Sequence, residues 1–188
     1  SIVETISNPL MEVADLSEIA AACGEVPLLV DSTFATPALC KPIAHGAALV
    51  FHSASKYLNG HGDVMLGVVV GSEERIRRIR AMSSLFGVNA NPMECWLASR
   101  GLRTLPLRME RASATAAELA TRLQQHAAIK AVFYPGLAEH GTYRQAQAIL
   151  PHGYGGMLAF EIEGGGTAVN RLFHALSATI PFSPTLAD

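Results

Sequence analysis

Apolar and polar positions along this chain fall into two alternating kinds of segment. Short continuous apolar runs, too short for core helices, read as strands buried on both faces, as in a parallel sheet. Val26-Pro27-Leu28-Leu29-Val30-Asp31, Ala47 to Phe51 and Val64 to Val70 are such runs. Asp15-Leu16-Ser17-Glu18 makes a capping-box start, and the Ala-rich run behind it stops at Gly24, which predicts a helix over 15–23. Glu73 to Leu85 predicts another, with Ile76, Ile79 and Met82 on one face and arginines on the other. Strands alternating with helices indicate an α/β domain.

From Met93 to Gln125 the pattern is helical with an interruption around Pro106, and beyond it the texture changes. Ala131 to Tyr134, Met157 to Ile162 and Thr179 to Ser183 read as short strands, separated by helical stretches near 140–150 and 167–176. A second, α+β lobe is expected, with its boundary near residue 107. The glycine clusters 153–156 and 164–166 read as loops, and Trp96, Leu97 and Leu102 as core or subunit interface.

Composition narrows the function classes. The 188 residues are 49% hydrophobic and 16% charged, enough for one to two domains that bury roughly 70% of the unfolded surface. Fourteen basic and 16 acidic residues nearly cancel, and no block of like charge occurs, so nothing favours a nucleic-acid backbone or an anionic membrane. A small molecule, or another copy of the chain, is the expected partner. Cys23, Cys40 and Cys95 are odd in number and lack CxxC spacing, which argues against a disulfide framework or a structural zinc site and fits a reducing, cytoplasmic compartment. The longest strongly apolar stretch, Met65 to Val70, is far short of the roughly 20 residues of a membrane span. The ends, Ser1 without a leader pattern and Asp188 just after an apolar segment, read as cut.

The chemistry concentrates between Val30 and Val64, VDSTFATPALCKPIAHGAALVFHSASKYLNGHGDV. Ligands of open parallel sheets bind outside the carboxyl ends of the strands. Two of the expected strands end in Asp31 and in Ser53-Ala54-Ser55-Lys56, so a carboxylate, two hydroxyls and an amine would meet at one rim. A lysine amine that is partly desolvated becomes a nucleophile toward aldehydes. Hydroxyls can hold a phosphate, and an aspartate can hold a protonated ring nitrogen; together these are the requirements of a pyridoxal phosphate (PLP) site. Each piece alone has a plainer reading: a structural aspartate, a solvated lysine, serines that cap the next helix.

This segment resembles the lysine segment of the Cys/Met metabolism family of PLP-dependent enzymes, which includes cystathionine γ-synthase, cystathionine γ-lyase, methionine γ-lyase and the O-acylhomoserine sulfhydrylases. Glu4-Thr-Ile-Ser-Asn8-Pro9 is similar to the family's E-[ST]-P-x-N-P, and Trp96-Leu-Ala-Ser-Arg-Gly-Leu-Arg-Thr-Leu-Pro-Leu-Arg-Met109 to its R-G-L-x-T-L-x-x-R-M. Tyr134-Pro-Gly136 and Gly155-Gly-Met157 also match. The resemblance implies a fold-type I, aspartate aminotransferase-like α/β fold. Residues 1–107 would be the C-terminal half of the large PLP-binding domain, and 108–188 part of a small α+β C-terminal domain.

It further implies that Lys56 forms the Schiff base with the cofactor, Asp31 pairs with the pyridine nitrogen, Ser53 and Ser55 contact the phosphate, and Asn8 bonds the phenolic oxygen. Ile6, Ser55 and Ala38 depart from the family's usual proline, threonine and aromatic, and none removes a catalytic group. The implied reaction makes or breaks a C–S or C–O bond at the γ-carbon of homoserine-derived amino acids, in a homodimer or homotetramer. Cystathionine γ-synthase or γ-lyase is the first expectation, with a slight preference for the synthase from Pro184; methionine γ-lyase and O-acetylhomoserine sulfhydrylase are the alternatives. Relatives are roughly twice this length, and the parts not represented would carry the stacking aromatic, phosphate-binding amides and the substrate-gripping arginine. An inactive folded remnant is therefore a reading from another class. Ser53-Ala-Ser-Lys56 also satisfies the S-x-x-K of penicillin-recognising acylases, but their other motifs are missing. His45, His52 and His61 match no zinc spacing and read as structural, and Asp63 as a structural partner near the lysine loop.

Overall fold

The computed structural model describes residues 1–180 and Ser183, and it begins with a strand that the apolar pattern does not signal. This β1 (Ile2–Glu4) pairs in parallel with β2 (Leu29–Asp31), Glu4 opposite Asp31. β2 in turn pairs in parallel with β3 (Leu49–Ser53), Asp31 opposite Phe51. Three residues are too few to show a period, so β1 is legible only through its partner. Parallel neighbours need crossovers. The first is α1 (Leu16–Cys23), started by Asp15, whose carboxylate accepts the Glu18 N–H at 2.9 Å. The second is made of α2 (Thr36–Leu39) and a 3-10 turn over Pro42–His45.

The last strand, β4 (Gly67–Gly71), runs antiparallel to β3, so the sheet is mixed, in the order β1-β2-β3-β4. Its burial also differs from the two-faced burial expected of the apolar runs. Val30 and Val50 are buried, Leu29, Leu49 and Phe51 only partly, and Val69 and Val70 are exposed. Helix α3 (Glu73–Phe86) has the expected amphipathic pattern, yet none of its residues is buried. Trp96, expected in a core or interface, is 57% exposed.

The helical stretch from Met93 resolves into α4 (Pro92–Leu102) and α5 (Leu105–Gln124). The break falls at Arg103–Thr104, and Pro106 lies in the first turn of α5, where its missing N–H has no helical partner to lose. Beyond α5, β5 (Ile129–Phe133) and β6 (Ala159–Ile162) form an antiparallel pair, accompanied by α6 (Tyr143–Ile149) and α7 (Gly165–Leu176). Thr179 and Ile180 form a turn and bend after α7 in place of the expected strand. The remainder of that strand, apart from Ser183, and Pro184 lie outside the described residues.

The main core joins both parts of the chain. Val30, Val50, Leu28 and Leu16 pack in one cluster with Leu105 and Met109 of α5 and with Ala146, Ile149 and Leu150. Ala116 and Ala120, further along α5, pack instead with Tyr134 and Leu137. Tyr134 places its hydroxyl 3.1 Å from the carbonyls of both Ser113 and Gly155, and burial raises the pKa of this phenol. Its single proton thus ties α5 to the loop before β6.

Candidate functional site

The carboxyl ends of β2 and β3 converge because the two strands are parallel and in register. Asp31 ends β2, and one of its carboxylate oxygens accepts the Thr33 N–H at 2.9 Å. The Thr33 hydroxyl accepts the Ser53 N–H at 2.8 Å, which fixes the end of β3 against the loop after β2. A pocket of about 190 Å³ opens there, walled by Glu4, Ile6, Asn8, Asp31, Thr33, Phe34 and Ser53. Of the five residues singled out in the sequence, Asn8, Asp31 and Ser53 therefore share one cavity.

Ser55 and Lys56 are not among its walls. They lie in a π turn over Ala54–Leu58 that follows β3 directly. The Ser55 hydroxyl accepts the Leu66 N–H at 3.1 Å and keeps its own proton to donate elsewhere. Lys56 is half-buried, with backbone angles of φ −92° and ψ −137° that are not helical. After it, Asn59 is buried and donates its side-chain amide to Asp63 at 2.7 Å, the structural role expected of Asp63.

Three residues were not singled out from the sequence. Thr33 is the hinge between Asp31 and Ser53, and the signal for it was the Asp-x-Thr spacing that lets a carboxylate accept an N–H two residues on. Glu4 adds a second carboxylate to the pocket. Arg108, the second arginine of the R-G-L-x-T-L-x-x-R-M match, reaches back from α5 to the lysine turn, 51 positions earlier in the chain.

The histidines serve the backbone. His52 is buried with Nδ1 2.9 Å from the Ser32 carbonyl, and burial lowers its pKa against the opposing effects of that bond and of Asp31. His61 Nδ1 lies 2.5 Å from the Asn59 carbonyl. Among the described residues no group of three or more His, Cys, Asp or Glu could hold a metal, and no helix is long and apolar enough to cross a membrane. Burial pushes the Tyr57 phenol up to about 12 and the Cys40 thiol to about 11, so neither ionises near neutral pH.

The family model described as Cys/Met metabolism PLP-dependent enzyme matches residues 2–182. The chain belongs to this family. Among curated family relatives, L-methionine gamma-lyase of Brevibacterium sandarakinum is 46% identical over 95% of the chain, and cystathionine beta-lyase of Lactococcus lactis subsp. cremoris 44% over 85%. The crystal structure of cystathionine gamma synthase from Xanthomonas oryzae pv. oryzae in complex with cystathionine superposes with a TM-score of 0.93 at 38% identity over 99% of the chain. The fold is the α/β fold of these PLP-dependent enzymes. The match accounts for 45% of the first relative, 42% of the second and 48% of the crystallised chain, so this chain spans just under half their length. As members of this family carry PLP, the donor set can be tested against that group. A carboxylate, a carboxamide and a hydroxyl wall one pocket, and an amine-bearing residue lies in the turn beyond its rim. These match a pyridinium, a phenolic oxygen, a phosphate and an aldehyde in turn, so the residues present fit.

Proposed function

We propose that this chain is the lysine-bearing part of a PLP-dependent trans-sulfuration enzyme, of the cystathionine γ-synthase or γ-lyase type, that acts at the γ-carbon of homoserine-derived amino acids. The observation that carries the reading is the sharing of one pocket by Asn8, Asp31 and Ser53 at the carboxyl ends of two parallel strands. Lys56 follows Ser53 by three residues, in the turn that leaves the end of β3. When bound, PLP supplies an aldehyde and a ring that accepts electrons. Asp31 would hold the protonated ring nitrogen, and the Thr33 N–H fixes that carboxylate in place. Ser53 and Ser55 would donate hydrogen bonds from their hydroxyls to the phosphate, and Asn8 one from its amide to the phenolic oxygen. The Lys56 amine would hold the aldehyde and, when not so engaged, would be the group that moves the substrate's α-proton as base and acid.

The same reading divides the chain near residue 107 into part of a PLP-binding domain and part of a small C-terminal domain, with α5 as their common wall. It extends to a cytoplasmic homodimer or homotetramer with small amino acids as substrates and no nucleic-acid or membrane partner. A second reading, methionine γ-lyase, is favoured by the 46% identity to a relative of that name, against 38% to the γ-synthase structure.

The test supplies PLP-loaded protein with cystathionine, with O-acylhomoserine plus cysteine, and with methionine, and identifies products by mass. Cystathionine made or cleaved supports the first reading, and methanethiol from methionine alone supports the second. Loss of all turnover in Lys56→Ala, with Lys41→Ala active, supports the role of Lys56; a fully active Lys56→Ala refutes it. No turnover of any of the three by protein that retains PLP would favour the inactive remnant.

A further inference from the structure

The residues just after Lys56 are held from outside their own turn. Because the backbone at Lys56 is not helical, the carbonyls of Tyr57 and Leu58 are turned toward a neighbour, Arg108 of α5. Arg108 Nη1 donates to the Tyr57 carbonyl at 2.6 Å, and Nη2 donates to the Leu58 carbonyl at 3.2 Å and to the Gly101 carbonyl at 2.9 Å. Its Nε donates to the Thr104 hydroxyl at 3.1 Å. One planar fork thus binds the lysine turn and the α4–α5 joint together, which a lysine at 108 could not do with a single ammonium. The opposite side of the turn is pinned as well. Ala54 N–H donates to the Leu66 carbonyl at 2.7 Å, and Ser55 accepts the Leu66 N–H at 3.1 Å. Lys56 is the residue between the two pins. Gly60, at φ +67°, leaves room for the fork: a Cβ there would lie 2.7 Å from the Arg108 guanidinium carbon.

We propose that Arg108 is a positioning residue for Lys56, fixing the backbone from which its amine meets the cofactor aldehyde and exchanges protons. The proposal rests on the function proposed above. The test uses PLP-loaded protein carrying Arg108→Met or Arg108→Lys. Four quantities are read: bound cofactor, the pH titration of the absorbance of the Lys56–cofactor adduct, kcat with KM, and hydrogen exchange of the Asn59 and Gly60 amides. Those amides donate to the Ala54 and Lys56 carbonyls, so their exchange reports the turn itself.

In both variants kcat should fall roughly 10- to 100-fold, as for a misplaced reacting group, with KM within about threefold. The adduct titration should move by at least about half a pH unit, a change that general loss of stability would not produce in folded, cofactor-bearing protein. Amide exchange should quicken, and Arg108→Lys should not restore the wild-type values. Wild-type titration and kcat in Arg108→Lys overturn the proposal. If neither variant folds, Thr104→Val, which leaves Arg108 in place and removes the contact at Nε together with the Thr104 hydroxyl's own bond to the Gly101 carbonyl at 3.2 Å, decides. Faster exchange and a moved titration support the clamp, and unchanged values overturn it. Wild-type protein without an adduct at Lys56 contradicts the function proposed above, while exchange in the variants still reads the clamp.

Discussion

His52 is held neutral beside the site, donating from Nδ1 to the Ser32 carbonyl in a place where burial disfavours its charged form. Its folded pKa lies below the ordinary 6.5, so between the two values the unfolded chain binds a proton that the folded chain refuses. Stability is therefore complete above pH 6.5 and declines as pH falls through the lowered folded pKa. Urea midpoints measured from pH 8 to pH 5 should fall, and the fall should be smaller in His52→Gln. An equal slope in the variant would assign the effect to other groups. The cysteines give a second check at this scale. Cys95 is exposed, whereas Cys40 is buried with its thiol pushed up to about 11. A thiol reagent at pH 8 should label Cys95 within the mixing time and Cys40 only on unfolding. That Asp31 and Ser53 line one pocket was legible from their positions at the ends of apolar runs, while Asn8 came in through the family resemblance alone. Arg108 stood in a matched motif and Thr33 in an Asp-x-Thr spacing, yet neither was assigned a role, because what they do is hold backbone groups that only the fold brings to them.

At the scale of elements, one close joint near the site is between α4 and the end of the lysine loop. Gly101 is buried in α4 with the Asn59 backbone against it; an added Cβ would lie 2.9 Å from the Asn59 Cα and collide with the Asn59 carbonyl. Backbone cannot rotate aside as a side chain can. Gly101→Ala should cost about 1–3 kcal/mol in denaturant unfolding, the range for overpacking, and should lower cofactor occupancy. Met109 anchors α5 in the main core, fully buried, and Met109→Ala should cost about 2–5 kcal/mol with less effect on cofactor binding. Helix α1 and the α4–α5 break were legible from caps and from the helical pattern. β4 was legible as a strand, but its antiparallel direction is set by the path of the lysine loop, which an apolar run does not encode. β1 was missed because three residues hold no period.

Over the whole molecule, apolar patterning and burial part company on one side. Ile79, Met82, Leu85 and Phe86 on α3, with Val69 and Val70 on β4, are exposed although their spacing is that of a packed face. Patterning specifies that a face wants cover, not what covers it. The isolated 188-residue chain should therefore self-associate, shown by a sedimentation coefficient that rises with protein concentration. A monomer at all concentrations, with no binding of a hydrophobic dye, would contradict this. The strands and helices past α5 were legible from the change in texture there, while the common core of Val30, Met109 and Ile149 was not, since long-range packing leaves no local trace. Everything proposed about activity depends on one covalent bond. Protein incubated with PLP, reduced with borohydride and digested should carry the pyridoxyl mass on the peptide containing Lys56. Label on Lys41 or Lys130 in its place, or no label on folded protein, would contradict the account.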